Sequence, residues 1–284
     1  MILLPEPGPA LLAPSWVPWC ASAVGQDTPP PKGAIYIDDV GSAGRPYDVV
    51  DGVALIGVTG MIVPSFWYIG SSYVTGCNCL RLQLAMAFDD PQVRAIALVV
   101  NSGGGLVSGI ADLADWIVEA KAAAGKPVVS ILAEFAYSAA YWLASAADSI
   151  SVPRTGGVGS IGVIMVHWDL SAALAEAGIK ATVIKAGARK ADGNAYEPLP
   201  NDVQERWTAE CEDLRRLFAG SVATNRAAAG ASLDLDAVLA SEARTWEGPA
   251  GTAEAVAQGF ADIVLAPDKA LQALIDHLNA QRSV

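Results

Sequence analysis

Three short apolar runs, residues 53–60 (VALIGVTG), 93–100 (VRAIALVV) and 128–132 (VVSIL), alternate with two stretches of helical periodicity. Strands that are apolar on both faces have to be covered on both sides, and this is the pattern of a parallel sheet with helical crossovers. Between the first two runs, residues 73–88 place Leu80, Leu82, Leu84, Ala85 and Phe88 on an apolar face, and Asp89, Asp90 and Pro91 end it. Residues 61–66 (MIVPSF) extend the sheet. Between the second and third runs, residues 107–124 present Ile110, Leu113, Ile117 and Val118, and Gly125-Lys126-Pro127 breaks the helix. The expected fold class is α/β: a mostly parallel sheet covered by helices, with right-handed crossovers.

Downstream, residues 138–147 (SAAYWLASAA) read as a helix of small and apolar residues, and 161–166 and 180–185 (KATVIK) as further strands. Residues 169–177 form a helix with Asp169 as its cap, and 186–201 form a loop. A long helix covers 202–229, and an amphipathic one closes the chain near 269–279. Upstream, 25–50 are rich in Pro, Gly and Asp and read as a linker. Three parts follow: an extended N-terminal arm and linker (1–50), a main folded domain (51–266) and a C-terminal helix (267–284).

Composition narrows the function classes. The formal charge is −12 over 284 residues, and a nucleic-acid partner would call for a basic stripe. The four cysteines are Cys20, Cys77, Cys79 and Cys211, with no CxxC spacing, and the histidines are only His167 and His277. No metal site and no cofactor are therefore expected. The thiols read as reduced and the compartment as cytoplasmic. The apolar N-terminus contains Pro5, Pro7, Pro9, Pro14 and Pro18, and its first basic residue is Lys32. A secretory leader wants a basic start and a membrane anchor an unbroken apolar helix, so it reads as an arm without a membrane role. A signal or lipoprotein leader is the alternative.

Three features bear chemistry. Residues 101–105 (NSGGG) lie between a buried strand and a helix, where backbone N–H groups form an oxyanion hole or a simple tight turn. Ser138 opens the small-residue helix, as a nucleophile at the positive dipole end or as an N-cap. A nucleophilic serine needs a base, and His167 and Lys190 are both available. Lys190 accepts a proton only when it is neutral, which requires dry surroundings such as Tyr137, Trp142, Ile161 and Val163.

In order, NSGGG, AYSAAYWLASAAD, TGGVGSIGV and AGARKADGN, with RTWEGPAGTAEAVAQGFAD in the tail, resemble the S49 serine peptidases. The resemblance spans about residues 53–265. It implies a ClpP/crotonase-like fold and a Ser–Lys dyad, with Ser138 as nucleophile and Lys190 as general base. It further implies that Ser160 orients the lysine, and that the amides of Gly104 and Ala139 form the oxyanion hole. Two departures stand out: Gly103 replaces the family's proline, and Ala139 and Ala140 replace glycines. Residues 187–204 (GARKADGNAYEPLPNDVQ) resemble the phage head-maturation branch. That branch cuts scaffold and capsid proteins and works as a homo-oligomeric ring whose sites neighbouring chains help to build. The alternatives are a cellular S49 peptidase degrading short peptides and, remotely, a crotonase-like acyl-CoA hydratase or isomerase using Glu134.

Overall fold

The structure is a computed structural model and describes residues 10–12, 35–37, 40 and 44–281. Most of the expected N-terminal arm lies outside the described residues. The first elements are β1 (Ala10–Leu12), β2 (Ile35–Tyr36), β3 (Asp48–Val50), β4 (Val53–Val63), β5 (Tyr68–Ile69) and β6 (Val74–Gly76). Then come α1 (Cys77–Asp89), β7 (Ala95–Leu106), α2 (Ile110–Ala124), β8 (Val128–Tyr137) and α3 (Ala139–Ser145). Next are β9 (Ser149–Val152), β10 (Gly157–Gly159), α4 (Ser171–Glu176) and α5 (Asn201–Ala228). The chain closes with α6 (Leu235–Ala240), β11 (Thr245–Glu247), α7 (Gly248–Ala257), β12 (Ile263–Val264) and α8 (Pro267–Ala280).

The three apolar runs form the centre of a ten-stranded sheet with the main order β11-β10-β8-β7-β4-β3. β4, β7, β8 and β10 are mutually parallel, whereas β3 and β11 join the two ends antiparallel. The expected α/β class is thus observed. Alternation along each strand divides the core. Ala54, Ile56 and Val58 of β4, with Ile96, Leu98 and Val100 of β7, face α1, α2 and α3. The opposite set, Val53, Ala95, Ala97 and Ile131, packs on Ala270, Ile275 and Leu278 of α8. Each large apolar side chain buried in this way contributes roughly 1.5–3 kcal/mol.

Every residue of α3 is buried, as its sequence demands: a helix apolar all round has no face to give to water. Trp142 stacks on Phe218 of α5, with centroids 4.5 Å apart, and its Nε1–H donates to Ser221 Oγ at 2.8 Å. The ring packing and the polar handle together fix the helix that follows Ser138.

Several elements differ from the sequence reading. Residues 74–76 are a strand rather than the start of α1, because they pair in parallel with Met61–Val63 at the end of β4. β4 itself stops at Val63, just before Pro64. β7 does not end at Val100 but runs on through the whole glycine segment to Leu106, and α2 begins only at Ile110. Gly105 allows this: a Cβ there would lie 1.9 Å from the Ile62 carbonyl oxygen. The expected strands at 161–166 and 180–185 are not formed. Residues 180–185 have no strand running beside them among the described residues, and Ile184 is 93% exposed.

Candidate active site

β8 ends at Tyr137, and the chain turns abruptly into α3 through Ser138, whose φ is 54° and ψ −122°. A serine held in this sparsely populated region costs about 1–3 kcal/mol. Its side chain is fully buried, and its Oγ has no hydrogen-bond partner among the described residues. Nor does the hydroxyl cap α3, so the N-cap reading fails. An unsatisfied buried hydroxyl adds about 1–3 kcal/mol of cost.

Ser160 lies beside it. β10 pairs with β8 through Gly159↔Tyr137, and the Ser138 amide donates to the Gly159 carbonyl at 2.8 Å. Ser160 is buried, has φ 58°, and donates its own amide to the Arg244 carbonyl at 2.9 Å. Gly159 has φ 113°, and a Cβ on it would come within 2.4 Å of that same Arg244 oxygen. The segment 244–247 therefore props the serine pair from behind. β11 was not anticipated; the sequence signal was the RTWEG stretch, read only as part of the tail.

The oxyanion candidates sit level with Ser138. β7 and β8 pair last at Ser102↔Ala136, so Gly104 and Ser138 fall two residues further on each strand. Gly104 has φ 107°, and its amide donates to Ser102 Oγ at 3.1 Å, while that hydroxyl donates to the Gly60 carbonyl at 2.6 Å. The glycine segment is thus the end of a strand with one amide already held, not an open turn. Ala139 is the first residue of α3, where amides have no acceptor within the helix.

Of the two candidate bases, His167 is tied elsewhere: its Nε2 lies 2.9 Å from the Asn194 carbonyl, and its ring meets Trp207 edge-on. Lys190 is exposed in a turn, and no side-chain hydrogen bond joins it to Ser138 or Ser160 among the described residues. Ser138 and Ser160 thus come together across β8 and β10, while Lys190 bonds to neither among the described residues. Glu134, the hydratase candidate, is exposed. Of the aromatics expected to dry the site, Tyr137 stacks on Phe135 at 5.0 Å. Burial first, and Glu247 second, push the Tyr137 phenol above its ordinary range.

Residues 120–281 match the family model described as Peptidase family S49. The chain belongs to peptidase family S49. The S49 match contains Ser138, Ser160 and Lys190 and leaves Gly104 outside. The chain is 35% identical to the capsid assembly protease C of Escherichia phage lambda over 87% of its own length and 54% of that protein. It is 36% identical to the head-tail preconnector protein GP5 of Enterobacteria phage P21, over 83% of this chain and 45% of that one. It is 28% identical to Protease 4 of Haemophilus influenzae, over 58% and 26%. The chain thus spans about half the length of the two phage relatives. A solved enoyl-CoA hydratase/isomerase family member is similar at TM-score 0.43 and 17% identity, covering 82% of this chain and 75% of that one. No helix among the described residues is long and apolar enough to cross a membrane.

Proposed function

We propose that this S49 chain is a serine endopeptidase acting in phage capsid maturation, with Ser138 as nucleophile and Lys190 as general base. One observation carries the reading: the Ser138 hydroxyl is buried, strained and unpartnered at the end of β8. In the reaction, Lys190 Nζ takes the Ser138 Oγ proton as Oγ attacks the substrate carbonyl carbon. The amides of Ala139 and Gly104 receive the oxyanion, the Gly104 amide leaving Ser102 Oγ to do so. Lys190 then gives its proton to the departing amine, and water, activated by the same lysine, releases the acyl group and restores Ser138. Ser160 orients the lysine.

Lys190 reaches the serine from a neighbouring copy in a homo-oligomer. The segment that carries it exposes Val166, Trp168, Ile179, Ile184 and Tyr196, more apolar surface than an isolated loop needs. Burial against a second copy removes water from the amine and frees it to take a proton. The likeness to a capsid assembly protease supports scaffold and capsid proteins as substrates and the host cytoplasm as the setting.

The test is complementation. Ser138→Ala and Lys190→Ala assemblies are each expected to be inactive on casein and on a co-expressed scaffold protein, with His167→Ala active. Dissociating, mixing and reassembling the two inactive variants is expected to restore cleavage. Activity of Lys190→Ala alone would overturn the assignment of the base, and failure of the mixture to recover would return both residues to one chain.

A further inference from the structure

We propose that residues 10–12 of this chain occupy the substrate edge of its own active site, as a built-in competitor that an incoming peptide must displace. The inference rests on the peptidase reading for the word substrate, while the occupancy stands on strand pairing alone.

Along most of its length β7 is a central strand, with β4 on one side and β8 on the other. β8 leaves the sheet at Ser138, where the left-handed backbone turns the chain into α3. The last pair between the two strands is Ser102↔Ala136. Beyond it, β7 continues to Leu106 with its other side still held by β4, through Met61↔Gly104 and Ile62↔Gly105. The side that β8 vacates is a short strand edge, level with Ser138. Such an edge adds any extended segment that reaches it.

β1 fills this edge. It runs antiparallel to β7 with Ala10↔Leu106, Leu11↔Gly105 and Leu12↔Gly104. Leu12 is therefore in register with the oxyanion candidate, on the strand position that Ser138 would hold had β8 continued. A peptide whose carbonyl is to be attacked by Ser138 and received by Gly104 needs the same backbone positions. Two chains cannot hydrogen-bond to one strand edge at once, so cis occupancy and substrate binding exclude each other.

A competitor in cis lowers apparent affinity by the fraction of molecules in which the edge is free, so about nine-tenths occupancy raises KM about tenfold. The full-length variant Leu11→Pro/Leu12→Pro removes two amide donors and breaks the strand. It is expected to show a lower KM for a fluorogenic peptide of extended apolar sequence, with kcat unchanged. A synthetic peptide spanning residues 8–15 is expected to inhibit the variant competitively and the parent weakly. A second readout needs no catalysis. In a Ser138→Ala background, hydrogen exchange at the amides of residues 104–106 is expected to quicken when the two prolines are added. Unchanged exchange overturns the proposal whatever the kinetics show, as does an unchanged or higher KM in an active variant. Quickened exchange without cleavage by any form places the fault with the peptidase reading and leaves the occupied edge standing.

Discussion

The amide of Ser138 donates to the carbonyl of Gly159 at 2.8 Å, so the strained turn that presents Ser138 is pinned to the strand that leads into Ser160. Both serines have left-handed backbones, φ 54° and 58°. Such strain persists only where the surroundings over-determine it. Here the surroundings are the parallel pairing of β8 with β10 and the antiparallel pairing of β10 with β11.

Replacing Ser138 by Ala therefore removes a buried hydroxyl that bonds to nothing among the described residues. The expected outcome is complete loss of peptidase activity with stability unchanged or raised by up to about 1 kcal/mol, because no hydrogen bond is lost and one desolvated group is removed. Ser138→Gly also relieves the backbone and is expected to be at least as stable as the alanine variant. Urea titration checks both, and a loss above about 1 kcal/mol in Ser138→Ala would show that the hydroxyl has a structural partner.

Gly159→Ala is expected to act in the opposite sense. A methyl group there meets the Arg244 carbonyl oxygen at 2.4 Å and the Trp246 ring at 2.9 Å, on a backbone with φ 113°. Strain alone costs about 1–3 kcal/mol, and relieving the clash shifts β11 away from Ser160. Lower thermal stability and reduced kcat should appear together, whereas the neighbouring surface substitution Glu242→Gln should change neither.

Asp262 is a structural anchor of the same region. One carboxylate oxygen accepts from the Ile150 amide at 2.6 Å, and the other accepts from Arg226 Nη2 at 2.8 Å. Arg226 is fully buried and also donates through Nε to the Gly259 carbonyl at 2.9 Å. Asp262→Ala strands that charge and is expected to cost about 3–5 kcal/mol. The double variant Asp262→Ala/Arg226→Met is expected to recover part of the loss. If the double variant is less stable than the single one, the ion pair is not the source of the effect.

Burial pushes the Cys77 thiol up to about 12 and the Cys79 thiol up to about 11. Thiolates are the reactive form, so both should resist iodoacetamide in the native protein at pH 8, while half-buried Cys211 reacts first among the three cysteines of the described residues. The same shifts set a direction for stability. The unfolded thiols ionise near pH 9 and the folded ones do not, so their contribution is complete below that pH and is lost as the pH rises toward 12. Peptide mapping of the labelled protein and alkaline denaturation measure the two halves of this prediction.

How much of this was legible in the sequence follows from what each feature depends on. The central strands and the buried α3 were readable because burial on all sides leaves an unbroken apolar run, and the order of motifs placed Ser138 and Ser160 together. The extension of β7 through Gly104 was not, since glycines signal a turn unless a neighbouring backbone, here Ile62, needs the space. The strand pattern of residues 180–185 was misleading because a strand requires a partner, and none lies beside it among the described residues. Asp148 accepts from the Val128 amide at 2.9 Å and from Lys121 at 2.7 Å, ties to residues 20 and 27 positions away that leave no local pattern.

That unpaired stretch supplies the last prediction. Ile184 is 93% exposed, two residues before the AGARK turn that carries Lys190. A side chain so exposed contributes little to the folding of a single chain, and its replacement by Glu should change monomer stability by no more than about 0.5 kcal/mol. If the segment instead packs on a second copy, Ile184→Glu places a charge in an apolar contact, which has to be hydrated or paired. The expected result is a shift from oligomer to monomer in sedimentation velocity, together with loss of peptidase activity, while circular dichroism and the urea midpoint of the monomer are preserved. Loss of activity in a variant that still assembles would assign Ile184 to the positioning of Lys190 alone. Full activity in a monomeric variant would mean that one chain closes its own site, with the segment from Val166 to Tyr196 folding back over Ser138.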